Sequence, residues 1–114
     1  QQQQLIASDG AASDNLGSSV ALNSDGTTAL VGAMFDDYNG TFNQGSAYTY
    51  LPSGGGWTQQ RQLGPNEPVS GALFGNAVAI NGDGNMALLG AWYDDTGGNF
   101  ERQGAAYVFD LTAP

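Results

Sequence analysis

The sequence predicts an all-β chain built from two tandem four-stranded antiparallel units. Three observations carry this. The chain repeats itself at a constant offset of 58 residues between Leu16–Phe42 and Phe74–Phe100, with 14 of the 27 aligned positions identical. Short apolar runs alternate with Gly-, Asn- and Asp-rich turns, and no segment of useful length has helical periodicity. Gly is abundant, at 18 residues, while charged residues make up only 11%, a composition that suits many short strands joined by tight turns.

The elements follow in order. Ser19–Leu22 is a small apolar run ended by Asn23-Ser24-Asp25-Gly26, and an Asp-Gly between apolar runs is a hairpin signal because both residues tolerate positive φ. Thr28–Ala33 is the returning strand, and its unbroken small apolar character predicts burial on both faces. A loop of Asp, Asn and Gly spans 36–45. Ser46–Tyr50 follows as a third strand with alternating aromatics. Pro52–Gly56 is expected to turn the chain. Trp57–Leu63 is then a fourth strand, polar enough for an outer edge. The second copy repeats three of these: Ala77–Ile80, Met86–Ala91 and Ala105–Phe109. After one inserted residue the match resumes at an offset of 59, pairing Gln44-Gly45 with Gln103-Gly104 and Ala47-Tyr48 with Ala106-Tyr107. The fourth strand of the second unit has its counterpart at the other end of the chain, where Gln2–Leu5 aligns with Gln60–Leu63. The expected organisation is one unit over 1–114, with 1–6 an outer strand donated to a split blade, 16–63 a first blade, and 74–110 a second blade lacking its outer strand.

Composition excludes several functions. Net charge is -9, with no Lys, no His, and Arg61 and Arg102 as the only cations. Phosphate contacts need Lys or Arg, so nucleic acid is not an expected partner, nor is an anionic membrane surface. Without Cys there are no disulfides or thiolate metal sites. No apolar run approaches the roughly 18 residues of a membrane span, and the polar Gln1–Gln4 start is not a signal peptide. Without His or Cys there is no Ser-His or Cys-His nucleophile unit, and without Lys no phosphate-binding loop of the Walker type. Adjacent Asp residues on one loop point apart and do not make the spaced carboxyl pair of a glycosidase. The chain is expected not to be an enzyme and to require no cofactor.

Four-stranded units in tandem are the blades of a β-propeller. Phe74-Gly75, Val78-Ala79-Ile80, Asn81-Gly82-Asp83-Gly84, Leu89-Gly90-Ala91 and Gln103–Phe109 together resemble an FG-GAP repeat, the blade motif of integrin α-subunit propellers. Leu16-Gly17, Val31-Gly32-Ala33 and Gly45–Tyr50 repeat the pattern, with Leu16 where the family usually has Phe. The resemblance covers essentially the whole chain. It implies a secreted or cell-surface setting. It also raises calcium, since integrin-type blades often carry an Asp-x-Asp/Asn-x-Asp-Gly loop between their first two strands. Here Asn23, Asp25, Asn81 and Asp83 hold the matching positions, but Ala21 and Ala79 stand at the first ligand position and Ala29 and Ala87 near the later acid. Calcium takes about six oxygen ligands or more, so these loops read either as weak calcium sites or as plain hairpin turns.

Two blades cannot close a ring, and propellers usually have four to eight. The expected solution is homo-oligomerisation, each N-terminal strand pairing beside Ala105–Phe109 of a neighbour, with three chains making six blades or four making eight. A piece excised from a larger propeller, or a chain engineered to assemble, would carry the same cut. The expected role is therefore a self-assembling structural and interaction scaffold. The alternative is a multivalent lectin or a calcium-dependent adhesion surface with a glycan or protein ligand. Candidate ligand residues lie on the loops after the second strands: Asp36, Asp37 and Tyr38 in the first blade, and Trp92, Tyr93, Asp94 and Asp95 in the second. Aromatic faces stack on sugar C–H groups while carboxylates accept hydroxyl hydrogen bonds. The competing reading is that Phe35 and Trp92 wedge between blades and the acids cap turns.

Overall fold

The computed structural model describes residues 3–8, 10, 14–65, 71–92 and 104–112. Seven strands form two antiparallel sheets. β1 (Leu16–Leu22), β2 (Ala29–Ala33), β3 (Ser46–Ser53) and β4 (Gly56–Leu63) lie in that order in the first sheet; β5 (Phe74–Ile80), β6 (Met86–Ala91) and β7 (Ala105–Asp110) form the second. A three-residue 3-10 turn at Tyr38–Gly40 is the only helical element among the described residues. The seven strands expected within 16–110 are present, and β4 is an edge of its sheet as its polarity predicts.

Local chemistry accounts for the connections. In each first hairpin the side chain of an Asn clamps the turn. Asn23 Oδ1 accepts the backbone N–H groups of Thr27 and Thr28 at 2.8 and 2.9 Å. Asn81 Oδ1 does the same for Asn85 and Met86, both at 3.0 Å. The turn between β3 and β4 is shorter than the sequence suggests. Pro52 and Ser53 continue β3, paired with Trp57 and Gly56, and the turn itself is Gly54-Gly55. Both glycines have positive φ, 60° and 86°, the conformation a two-residue hairpin turn demands. Pro52 is tolerated because β3 still holds its fixed φ in an extended strand at the hairpin tip.

Each sheet has two distinct faces, which the registers define. One face of the first sheet carries Val20, Leu22, Ala29, Val31, Tyr48 and Tyr50; the opposite face carries Ser19, Ala21, Leu30, Gly32, Ala47 and Thr49. The corresponding faces of the second sheet carry Val78, Ile80, Ala87, Leu89, Tyr107 and Phe109 on one side, and Ala77, Ala79, Leu88, Gly90, Ala106 and Val108 on the other. The Leu30 face of the first sheet packs on the Leu89 face of the second. Leu30, Ala47 and Leu63 from one side meet Phe74, Ala87, Leu89 and Ala91 from the other in the main core. The Phe74 ring stacks obliquely on Tyr107 and edge-on against Phe109, with centroids 5.3 and 5.7 Å apart. All five residues of β2 are buried, as its composition predicts. Its counterpart β6 is buried on one face only, because nothing among the described residues covers the far side of the second sheet.

Residues 3–6, the described part of the 1–6 segment expected as a donated strand, form no strand within the single chain, and neither do residues 7 and 8. They lie on the outer face of the first sheet, where Leu5 and Ala7 pack against the cluster of Ala29, Val31, Ala33, Tyr48 and Tyr50. Gln3 holds the segment by accepting from Trp57 N at 2.7 Å and donating to Trp57 O at 3.0 Å, and the Tyr50 hydroxyl donates to Ile6 O at 3.0 Å.

Candidate interaction surface

The loop after β2 is organised around Asp36. This residue is buried, and its Oδ2 accepts from Ser46 Oγ, from Tyr48 Oη at 3.3 Å and from Gln62 Nε2 at 2.8 Å. Three donors converge on one carboxylate oxygen, so the side chain ties the loop to β3 and β4 and faces away from solvent. Asp37 is exposed, and its Oδ1 accepts the Asn43 N–H at 2.8 Å, closing the loop on itself. The Tyr38 ring lies over Gly64, where a Cβ would overlap it. The three residues do not converge on an open site: Asp36 points inward, Asp37 clamps the loop and Tyr38 covers the end of β4. In the second blade Trp92 is 62% exposed. Tyr93, Asp94 and Asp95 lie outside the described residues.

The hairpin residues considered for calcium fall into two kinds. Asn23 and Asn81 use their side-chain oxygens on backbone N–H groups, while Asp25 and Asp83 are exposed at the turn tips. Among the described residues no three carboxylates lie together. The two turns instead touch each other. Ser24 donates to Gly82 O through its backbone N–H at 3.2 Å and its hydroxyl at 2.8 Å.

That contact belongs to a polar frame around the apolar inter-sheet core. Ser19 Oγ donates to Gly75 O at 2.7 Å, and the Arg61 guanidinium donates to Asp110 O at 3.2 Å. Phe74 N donates to Gln44 O at 2.8 Å beside a parallel bridge between Gly45 and Phe74. The approach there is so close that a Cβ on Gly32 or Gly45 would overlap the Gly75 or Phe74 backbone. Sequence reasoning assigned these glycines to turns and strands in general. The signal for their special role was present: Gly32, Gly45 and Gly75 each recur in the other repeat, as Gly90, Gly104 and Gly17.

The two outer faces, that of the second sheet uncovered among the described residues and that of the first partly covered by residues 3–8, correspond to the two halves of this same interface. The Leu88 face of the second sheet corresponds position by position to the Leu30 face of the first, and the Val20 face of the first corresponds to the Leu89 face of the second. Val20, Leu22, Met86, Leu88 and Val108 lie on these open faces and are 48% to 68% exposed. Three polar residues of the closed half, Ser19, Thr28 and Thr49, become Ala77, Met86 and Val108 in the open half. Two consecutive antiparallel sheets, stacked face to face with the same pairing of faces available again at both ends, define a bladed, propeller-type repeat protein.

The FG-GAP repeat family matches residues 1–50 and 57–109. The chain therefore belongs to the FG-GAP repeat family, with two repeats. Each matched segment begins on an outer-strand sequence, Gln1–Leu5 in one and Trp57–Leu63 in the other, and then runs through three inner strands, the same frame as the internal alignment. Comparison with curated proteins gives no match. The family is generally non-enzymatic and occurs in extracellular and surface proteins, and no helix of the described residues is long and apolar enough to cross a membrane.

Proposed function

We propose that the chain is a propeller-building scaffold: copies of it stack open face on open face into a closed ring that presents loops for interaction. One observation carries this reading, the correspondence between the two open faces and the two halves of the interface already made inside the chain. A face with Leu88 and Val108 exposed is costly for a lone molecule, since burying a Val or Leu side chain is worth about 1.5–3 kcal/mol. Placed on the Val20 face of a second copy it would meet Leu16, Ala29 and Val31, the counterparts of the Phe74, Ala87 and Leu89 that Leu30 and Ala47 meet within the chain. The contact is head-to-tail, so it repeats around an axis and makes a ring where the rotation closes.

The N-terminal segment supports the same arrangement. Leu5 packs on the outer cluster of the first blade, as its counterpart Leu63 packs in the core facing the second. Residues 3–8 thus already lie where the outer strand of a preceding blade would lie, and β7 is an edge strand of a sheet with three strands among the described residues. The occurrence of the family in extracellular and surface proteins supports a secreted or surface setting for the ring. The reading is tested by solution mass. A single chain is 11.7 kDa; three copies give about 35 kDa and four about 47 kDa. A discrete species at one of those masses is expected from light scattering on a sizing column, and a species of 11.7 kDa at all concentrations would overturn it.

A further inference from the structure

At one end of the second blade lies an open cleft of about 450 Å3, lined by Asn76, Gly90, Ala91, Trp92, Gly104 and Ala105. Of the loop residues considered above it includes Trp92. The internal repeat identifies it. The counterparts of its walls in the first blade are Gly32, Ala33, Gly45 and Ser46, and there the same space is filled. Phe74 is fully buried in it, bridged to Gly45, and the Gly75 carbonyl takes the Ser19 hydroxyl.

The object that fills the first cleft has a defined backbone, Leu73-Phe74-Gly75, with φ values of 58° at Leu73 and 88° at Gly75. A positive-φ residue two before a positive-φ glycine recurs at Asn15-Leu16-Gly17, with φ of 60° and 94°, and at Asn43-Gln44-Gly45, with φ of 49° and 85°. The local hydrogen bond is also repeated, Asn76 N to Leu73 O at 3.1 Å and Ser18 N to Asn15 O at 3.0 Å. Positive φ is costly for a non-glycine residue and persists where surrounding structure requires it. In the second blade that requirement is visible as docking. In the first blade a Cβ on Gly17 would meet nothing within 4 Å among the described residues, and Leu16 packs on the outer cluster of its own sheet. The socket is preset in the same way: Gly104 has φ of 83° and its counterpart Gly45 has 85°.

We infer that the cleft between Gly90 and Gly104 is the docking socket for Leu16-Gly17 of a second copy of this chain, with Trp92 closing over its rim. This rests on the assembly reading above and names the contact that would carry it. Leu16 is smaller than Phe74, and Trp92 replaces Met34 at the rim, so the larger rim residue offsets the smaller plug. The occupant is a second copy because Leu16 lies on the outer face of the first sheet and Gly90 on the outer face of the second, so one chain carries the plug and the socket on opposite sides of its stacked blades.

Gly90→Ala on the full chain tests this. In the single chain an added Cβ at Gly90 meets Asn76 Oδ1 at 3.4 Å and Ala77 Cβ at 3.6 Å, ordinary contacts, whereas at the filled counterpart Gly32 it would overlap the Gly75 carbonyl. The expected result is an unchanged far-ultraviolet dichroism spectrum with the light-scattering mass falling from the assembled value to 11.7 kDa. A Gly90→Ala chain that assembles like the parent would overturn the socket while leaving the assembly reading standing. A parent chain that is itself monomeric would overturn both. Should Gly90→Ala not fold, Trp57→Phe leaves Trp92 as the sole tryptophan. Its emission is expected to shift to the blue over the concentrations at which the mass rises, and an emission maximum that stays constant across that range would overturn the socket.

Discussion

Asp36 shows how far a residue's role depends on what the chain brings to it from a distance. Its sequence neighbourhood, Phe35-Asp36-Asp37-Tyr38, reads equally as a ligand-binding acidic loop or as turn chemistry. The decision comes from Gln62, on a different strand, which places an amide N–H on the carboxylate alongside Ser46 and Tyr48. Asp36→Ala would strand these donors in a buried place and is expected to cost roughly 2–4 kcal/mol. Asp37→Ala, at an exposed position with one backbone hydrogen bond, is expected to stay within about 1 kcal/mol. Chemical denaturation of the two variants checks the contrast, and equal effects would show that the Asp36 cluster does not anchor the loop. The two adjacent aspartates could be seen in the sequence; which one faces inward could not, because that depends on β3–β4 pairing.

At the scale of elements, the hairpins were the most legible feature. The Asn-x-Asp-Gly turns, the repeat offset and the apolar runs place every strand, and the polar Trp57–Leu63 run is the sheet edge it was expected to be. Legibility failed at Pro52-Ser53, read as turn but paired in β3, because a Gly-Gly turn needs only two residues. The Asn side chains make these hairpins self-sufficient. Asn23→Ala or Asn81→Ala would each leave two backbone N–H groups without their side-chain acceptor, and a loss of about 1–2 kcal/mol is expected. If this clamping is what the residues do, thermal melts of the parent with calcium and with a chelator will superimpose. A midpoint raised by calcium would assign the turns a ligand role instead, since an ion bound only to the folded state stabilises it. The inter-sheet contact makes a stronger demand. Leu30 is fully buried between the blades, and Leu30→Ala is expected to cost about 2–5 kcal/mol through the cavity it leaves. Leu88→Ala, the same position on the open face, is expected to leave the single chain nearly unchanged and to weaken association. Paired measurements of melting temperature and mass separate the two effects.

For the whole molecule, the account turns on symmetry between what is closed and what is open. The split of a four-stranded unit across the ends of the alignment was readable from Gln2–Leu5 against Gln60–Leu63. What could not be read was that the open half of the interface is the more apolar one, because that requires knowing which of two alternating faces each residue joins. Ala77, Met86 and Val108 on the second sheet are informative only when set against Ser19, Thr28 and Thr49 on the first. Removing residues 1–8 is expected to abolish assembly while leaving both sheets formed, since the segment adds to the outer cluster but not to the main core.

The most direct measurement is a disulfide cross-link at the split blade. Ala47 and Leu63 are register partners in the first blade, and the repeat makes Ala106 and Leu5 the corresponding pair. The chain has no cysteine of its own, so a Leu5→Cys, Ala106→Cys double variant reports only on that contact. Under mild oxidation the account predicts a ladder of covalent multimers that stops at the trimer or tetramer, the point of ring closure. An Ala47→Cys, Leu63→Cys chain would form its bond internally and remain a monomer. A Leu5→Cys, Ala106→Cys chain that stays monomeric while this control oxidises would contradict the account.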